Sequence, residues 1–182
     1  PAEANDYASI ISLKAEKLKK LTQDLFEISK VQSGNDVAVT EKLNLSTLIA
    51  QAMAEEESEN EKSGLEFIIS VPDKINVLCD GKKMSRVFSN LIVNARLYSL
   101  SGTRVYIEAE EETDGVLISF KNIASYKMNF KDDEITERFT RGDEARSSDG
   151  SGLGLSIAKS FTEACGGSFS VKTDGDLFKA TV

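Results

Sequence analysis

Between Ala4 and Ile28 apolar residues recur on a heptad: Ala4, Ile11, Leu18 and Leu25 form one row, and Tyr7, Leu21 and Ile28 a second that Lys14 interrupts. The spacing predicts one long helix whose seam needs cover, either from other helices and a second copy of the chain or from the helix's own domain. Ser33-Gly34-Asn35-Asp36 stops it. Residues 37–39 read as a short strand, and Ser46 as the N-cap of a helix reaching about Lys62, where Ser63-Gly64 breaks the pattern. Strands at 65–71 and 76–80 flank a turn at Pro72-Asp73, and a second helix spans about 82–98. Ser101-Gly102 turns into a strand at 103–111, and Asp114-Gly115 makes the hairpin turn to a strand at 116–121. From Asn122 to Ser151 no periodicity is sustained, apart from a helical turn around 133–139; a loop of that length is functional or disordered. A helix at 153–164 ends at Gly166-Gly167, and strands at 168–173 and 178–182 finish the chain. Helices alternating with strands and hairpins predict an α+β sandwich with its helices on one face of the sheet.

Composition narrows the function more than the fold. The 182 residues are 40% hydrophobic and 29% charged, with a net charge of −8, an ordinary globular balance whose acidity opposes nucleic-acid binding. No apolar run reaches the roughly 18 residues of a membrane span, and Pro1-Ala2-Glu3-Ala4 is neither a basic region nor an apolar signal core. The chain therefore reads as soluble and not exported. The absence of His removes imidazole triads, His general bases and His-ligated zinc together. Cys79 and Cys165 match no zinc or CxxC spacing and read as buried free thiols. The lack of an initiator Met reads as a piece of something longer.

Two motifs carry chemistry. Gly150-Ser151-Gly152-Leu153-Gly154-Leu155 opens a predicted helix, so glycines let backbone N–H groups approach an anion where the helix dipole is positive. A flexible hinge would look the same. Asn90 and Asn94 stand four apart on the second predicted helix with Arg86 one turn earlier, while Val87, Leu91 and Ala95 point roughly the other way. Carboxamide oxygens suit a hard cation, and Mg²⁺ takes few protein ligands beside phosphate oxygens; two solvated asparagines are the plainer reading.

In order and spacing, Arg86–Ala95, then Glu137-Arg138-Phe139-Thr140-Arg141-Gly142-Asp143, then Gly150–Lys159 resemble the N box, F box and second glycine box of the ATP-binding domain of bacterial sensor histidine kinases. The stretch from Leu18 to Lys30 resembles the second helix of that family's dimerisation hairpin. The resemblance implies a two-layer α/β sandwich of the Bergerat type, with a mixed, largely antiparallel sheet, preceded by a long dimerisation helix. It divides the chain into residues 1–34, that helix, and 35–182, the ATP-binding catalytic domain of the wider GHKL superfamily with a lid at about 122–151. Asn94 resembles the Mg²⁺ ligand, Asn90 its neighbour at the triphosphate, and Tyr98 a nucleotide contact. Gly150, Ser151, Gly152, Leu153, Gly154 and Leu155 match the phosphate-binding segment, and Arg141 and Arg146 the lid groups that reach the terminal phosphate.

What the resemblance implies for function is ATP-dependent phosphoryl transfer to a histidine outside this chain, for relay to an aspartate of a response regulator's receiver domain. The parent is then a homodimer through its N-terminal helix, anchored in the cell membrane with this portion in the cytoplasm. Two departures stand out. Where the family has Asp-x-Gly-x-Gly, its aspartate reading adenine, this chain has Asn122-Ile123-Ala124-Ser125-Tyr126, and Asn122 takes the aspartate's place. Where the N box commonly continues Asn-Ala-x-Lys-Tyr, Leu97 replaces the lysine and Arg96 points elsewhere. A degenerate, nucleotide-free scaffold and an ATPase akin to gyrase or the heat-shock chaperones are the alternative readings.

Overall fold

The computed structural model describes residues 2–33, 38–128 and 152–182. Within them the chain runs α1 (Ala2–Gln32), β1 (Glu41–Asn44), α2 (Leu45–Glu55), α3 (Glu57–Lys62), β2 (Glu66–Ser70), β3 (Asn76–Cys79), α4 (Gly81–Tyr98), β4 (Arg104–Glu112), β5 (Gly115–Ile123), α5 (Gly154–Ala164), β6 (Ser170–Asp174) and β7 (Leu177–Thr181). Strands β2-β4-β5-β7-β6 make one sheet, with β2 parallel to β4 and every other neighbour antiparallel. A separate ribbon pairs β1 with β3. This is the mixed, largely antiparallel sandwich that the sequence predicts.

Alternation along the strands decides which face is covered. Val105, Ile107 and Ala109 of β4 sit opposite Asn122, Phe120 and Ile118 of β5, and Ala180 of β7 sits between Phe120 and Val171. All are buried. On the other face Tyr106, Glu108 and Glu110 of β4 sit opposite Lys121, Ser119 and Leu117 of β5, and Lys121 pairs with Glu108. The covering layer is α4, flanked by α2 and α5. Met84, Val87, Phe88, Leu91, Ile92 and Ala95 recur at helical spacing and are all buried, each large one contributing about 1.5–3 kcal/mol. Phe88 stacks on Phe120 at a centroid distance of 6.0 Å, which pins α4 to the sheet.

Several expected details come out differently. The first strand is Glu41–Asn44, and residues 38–40 carry no strand; it forms where it can pair with β3. Asn44, not Ser46, caps α2: its Oδ1 accepts the Thr47 N–H at 2.9 Å, and the Ser46 hydroxyl donates to the same oxygen at 2.8 Å. The helix expected to reach Lys62 breaks at Glu56, where a run of adjacent glutamates meets Arg96 of α4, 2.8 Å from Glu56. The strands on either side of Pro72-Asp73 do not pair with each other. The Leu45 N–H is bonded to the Ile75 carbonyl at 3.0 Å, and Ile75 is 1% exposed, so the chain is carried out of the main sheet before β3 begins.

The heptad of α1 divides. Leu21, Ile28 and Val31 pack on the domain, α1 lying against α5, and Ile28 is fully buried. Ile11, Leu18 and Leu25 stay exposed. The helix's own domain therefore covers Leu21 and Ile28 of the second row and leaves Tyr7 of that row exposed together with Ile11, Leu18 and Leu25.

Candidate functional site

Everything in the site hangs from α4, so its start sets the geometry. Asp80 caps it: Oδ1 accepts the Lys83 N–H at 3.1 Å, Oδ2 accepts the Val39 N–H at 3.1 Å, and Lys83 Nζ lies 3.3 Å from Oδ2. Burial works to raise the carboxyl, but these hydrogen bonds and the lysine charge outweigh it and hold Asp80 below its ordinary value. The expected start at Lys82 missed this cap, although an aspartate immediately before an amphipathic run is a start signal. Next door, burial above all pushes the Cys79 thiol up to about 11 and raises Cys165, so both stay protonated.

With α4 so placed, Arg86, Asn90 and Asn94 occupy its half-buried side, opposite the core stripe. The Asn90 Nδ2 donates to the Arg86 carbonyl at 2.7 Å. Its Oδ1 faces the opening of α5, where a Cβ on Gly154 would lie 3.3 Å away. Glycine there lets the two helices cross closely at this point. Gly152 takes φ 73°, a left-handed conformation that L side chains rarely adopt, and turns the chain into α5. Among the described residues no side-chain hydrogen bond caps α5. A helix start of that kind suits an anion, with the helix dipole behind it.

The side chains of Leu153 and Leu155 are 1% and 7% exposed and belong to the core, so only their backbone can serve the site. Gly150, Ser151, Arg141, Arg146, the F box and the helical turn around 133–139 lie outside the described residues.

At the other end of α4 the arrangement changes character. Asn122 is 4% exposed on the helix-facing side of β5, with the apolar Val105 and Phe178 as register neighbours. Among the described residues its amide has no hydrogen-bond partner. The segment after it is pinned: the Leu100 N–H donates to the Ile123 carbonyl, Ala124 N–H to Asp176, and Ser125 N–H to the Tyr98 carbonyl at 2.8 Å. Tyr126 sets its ring edge against Tyr98 at 6.0 Å, and burial first, then Tyr98, raises its phenol. These bonds hold the first residues of the segment expected to form the lid to α4 and to the turn before β7. Arg96 does not stand in for the lysine replaced by Leu97: its guanidinium is held by Glu56 at 2.8 Å, away from Asn94.

An uncapped helix start crossing a helix of carboxamides, both laid on one face of a mixed sheet, defines an anion- and nucleotide-binding α/β sandwich. The chain belongs to the family of histidine kinase-, DNA gyrase B- and HSP90-like ATPases, whose family model matches residues 79–182. It is 34% identical over 163 residues to the sensor protein VanS of Enterococcus faecium, an alignment that covers 88% of this chain and 42% of VanS. The chain thus spans less than half the length of that relative. Among solved structures it resembles full-length ShkA in complex with AMPPNP, with a TM-score of 0.79 at 20% identity over all of this chain and 39% of that one. It also resembles the histidine kinase ThkA in complex with the response regulator TrrA, with a TM-score of 0.71 at 20% identity over 97% of this chain and 50% of that one.

Proposed function

We propose that this chain is the ATP-binding catalytic part of a two-component sensor histidine kinase. Residues 35–182 form the catalytic domain, and residues 1–34 the second helix of a dimerisation hairpin through which the parent pairs as a homodimer. The observation that carries the reading is the meeting of Asn90 with Gly154, which sets an uncapped helix start beside carboxamide oxygens. The first-turn N–H groups of α5, with Gly152 and Gly154 admitting close approach, hold phosphate oxygens. Asn94 adds one oxygen to a Mg²⁺ that the phosphates mostly surround. Asn122, buried on the helix-facing side of β5, would meet a base edge beside Tyr98. Arg141 and Arg146 neutralise charge on the terminal phosphate.

ATP supplies the phosphoryl group when bound. The chain has no His, so the acceptor lies outside it, and from there the group passes to a receiver domain, the class of partner that accompanies ThkA. The work of these residues is positioning and charge neutralisation. In this reading the parent is anchored in the cell membrane and this part faces the cytoplasm. Calorimetry of Mg·ATP with Asn94→Ala tests it: affinity falls by about tenfold to a hundredfold if the amide is a metal ligand, and unchanged affinity removes Asn94 from the site.

A further inference from the structure

The stripe by which α1 meets the domain contains one residue foreign to it. Leu21, Ile28 and Val31 are apolar and packed on the core, yet Asp24 among them is 5% exposed. Its carboxylate pairs with the guanidinium of Arg86 on α4. Glu27 stands 3.7 Å from the same guanidinium nitrogen. An open cleft of about 660 Å³, lined by Lys19, Gln23 and Phe26 among others, runs beside the pair. Arg86 is therefore approachable from solvent, its side chain 37% exposed, while that of Asp24, at 6%, is covered.

A leucine at position 24 would complete the stripe, and a buried ion pair commonly holds no better than apolar side chains of similar volume. An ion pair differs in being easy to undo from one side. If Arg86 leaves, Asp24 remains as a buried, uncompensated carboxylate, which the docked arrangement cannot keep. If Asp24 is lost, Arg86 keeps Glu27 and water. The pair also shares a turn of α4 with the candidate site, because the Arg86 carbonyl receives the Asn90 amide.

We propose that Arg86 and Asp24 form a latch that fastens the nucleotide-binding domain onto α1 and releases it without unfolding either. While the latch is closed, Leu21 and Ile28 are held by the chain's own domain, and Tyr7, Ile11, Leu18, Leu25 and Phe26 are left exposed on α1. Opening it returns the second apolar row to the helix. This regulation of docking stands on the ion pair and the packing, whatever nucleotide the site takes.

Amide hydrogen exchange on the 182-residue chain tests it, comparing residues 21–31 with the β4 and β5 ladder. Arg86→Ala is expected to speed exchange at 21–31 at least tenfold and leave the ladder unchanged, with Arg86→Gln in its place if the alanine variant fails to fold. Asp24→Leu should leave exchange there as slow as in the parent, or slower. Asp24→Arg and Arg86→Asp should each open the helix, and the double reversal should return it to within about threefold of the parent. Exchange at 21–31 that ignores Arg86, a double reversal without recovery, or acceleration spread evenly through the ladder would each overturn the latch.

Discussion

The middle and the end of α4 meet their neighbours in opposite ways. At the middle, Asn90 faces a glycine, and the approach of α5 is set by backbone. Toward its end, Tyr98 meets Tyr126 and Ser125, and contact is made by side chains and a pinned strand exit. The middle keeps the family's pattern and the end departs from it at Leu97, Asn122, Ala124 and Tyr126. Backbone groups that hold phosphates tolerate little, because a Cβ in the wrong place blocks every ligand oxygen at once. Side chains around a base can be exchanged one at a time, each change shifting preference by a bond's worth of energy.

Breaking the backbone-set approach should have the largest effect. Gly152→Val places a β-branched residue at φ 73°, which costs about 2 kcal/mol of stability by urea unfolding and at least tenfold in Mg·ATP affinity. An affinity within twofold of the parent would show that this turn does not shape the anion site. The side-chain end is sharpened by Asn122→Asp. A carboxylate can only accept, so it favours the adenine amino group and repels the guanine carbonyl, whereas an amide presents either face. The preference for ATP over GTP should rise by roughly 1–2 kcal/mol, or about ten- to thirtyfold. Selectivity that does not rise would mean that Asn122 reads no base.

The smallest effect concerns the cap that orients both regions. Asp80 is held below its ordinary value, so its charge contributes stability above the unfolded carboxyl value of about 3.9, and that contribution is lost as pH falls through the lower folded value. Asp80→Asn keeps a cap but loses the charge, and should cost about 0.5–1 kcal/mol at neutral pH. Urea unfolding followed downward from neutrality should show the gap between parent and variant begin to close as the pH drops below about 4 and vanish below the lowered folded value. A gap that persists in acid would mean that shape, not charge, makes Asp80 matter.

Much of this was legible along the chain, for a local reason. Periodicity marks which face of an element is apolar, so the buried stripe of α4, the alternation of β4 and β5 and the glycine opening of α5 were all read within a few residues of their true bounds. Asn90, Asn94, Gly152 and Gly154 were marked as candidates by spacing and by resemblance, since four residues make one helical turn and glycine is what a left-handed turn needs.

What periodicity cannot report is what covers an apolar face, or which distant strand pairs with which. The heptad of α1 reads the same whether Leu21 and Ile28 meet another helix or α5, and tertiary packing chose α5. The strands around Pro72 look like a hairpin, yet they enter different sheets, because β4 and β1 offer them longer-range partners. Glu56, where a helix breaks, meets an arginine 40 residues away, and the buried Asp24 meets one 62 residues away. Such pairings depend on distances that exist only once the chain is folded, while the sequence by itself determined the faces that were there to be joined.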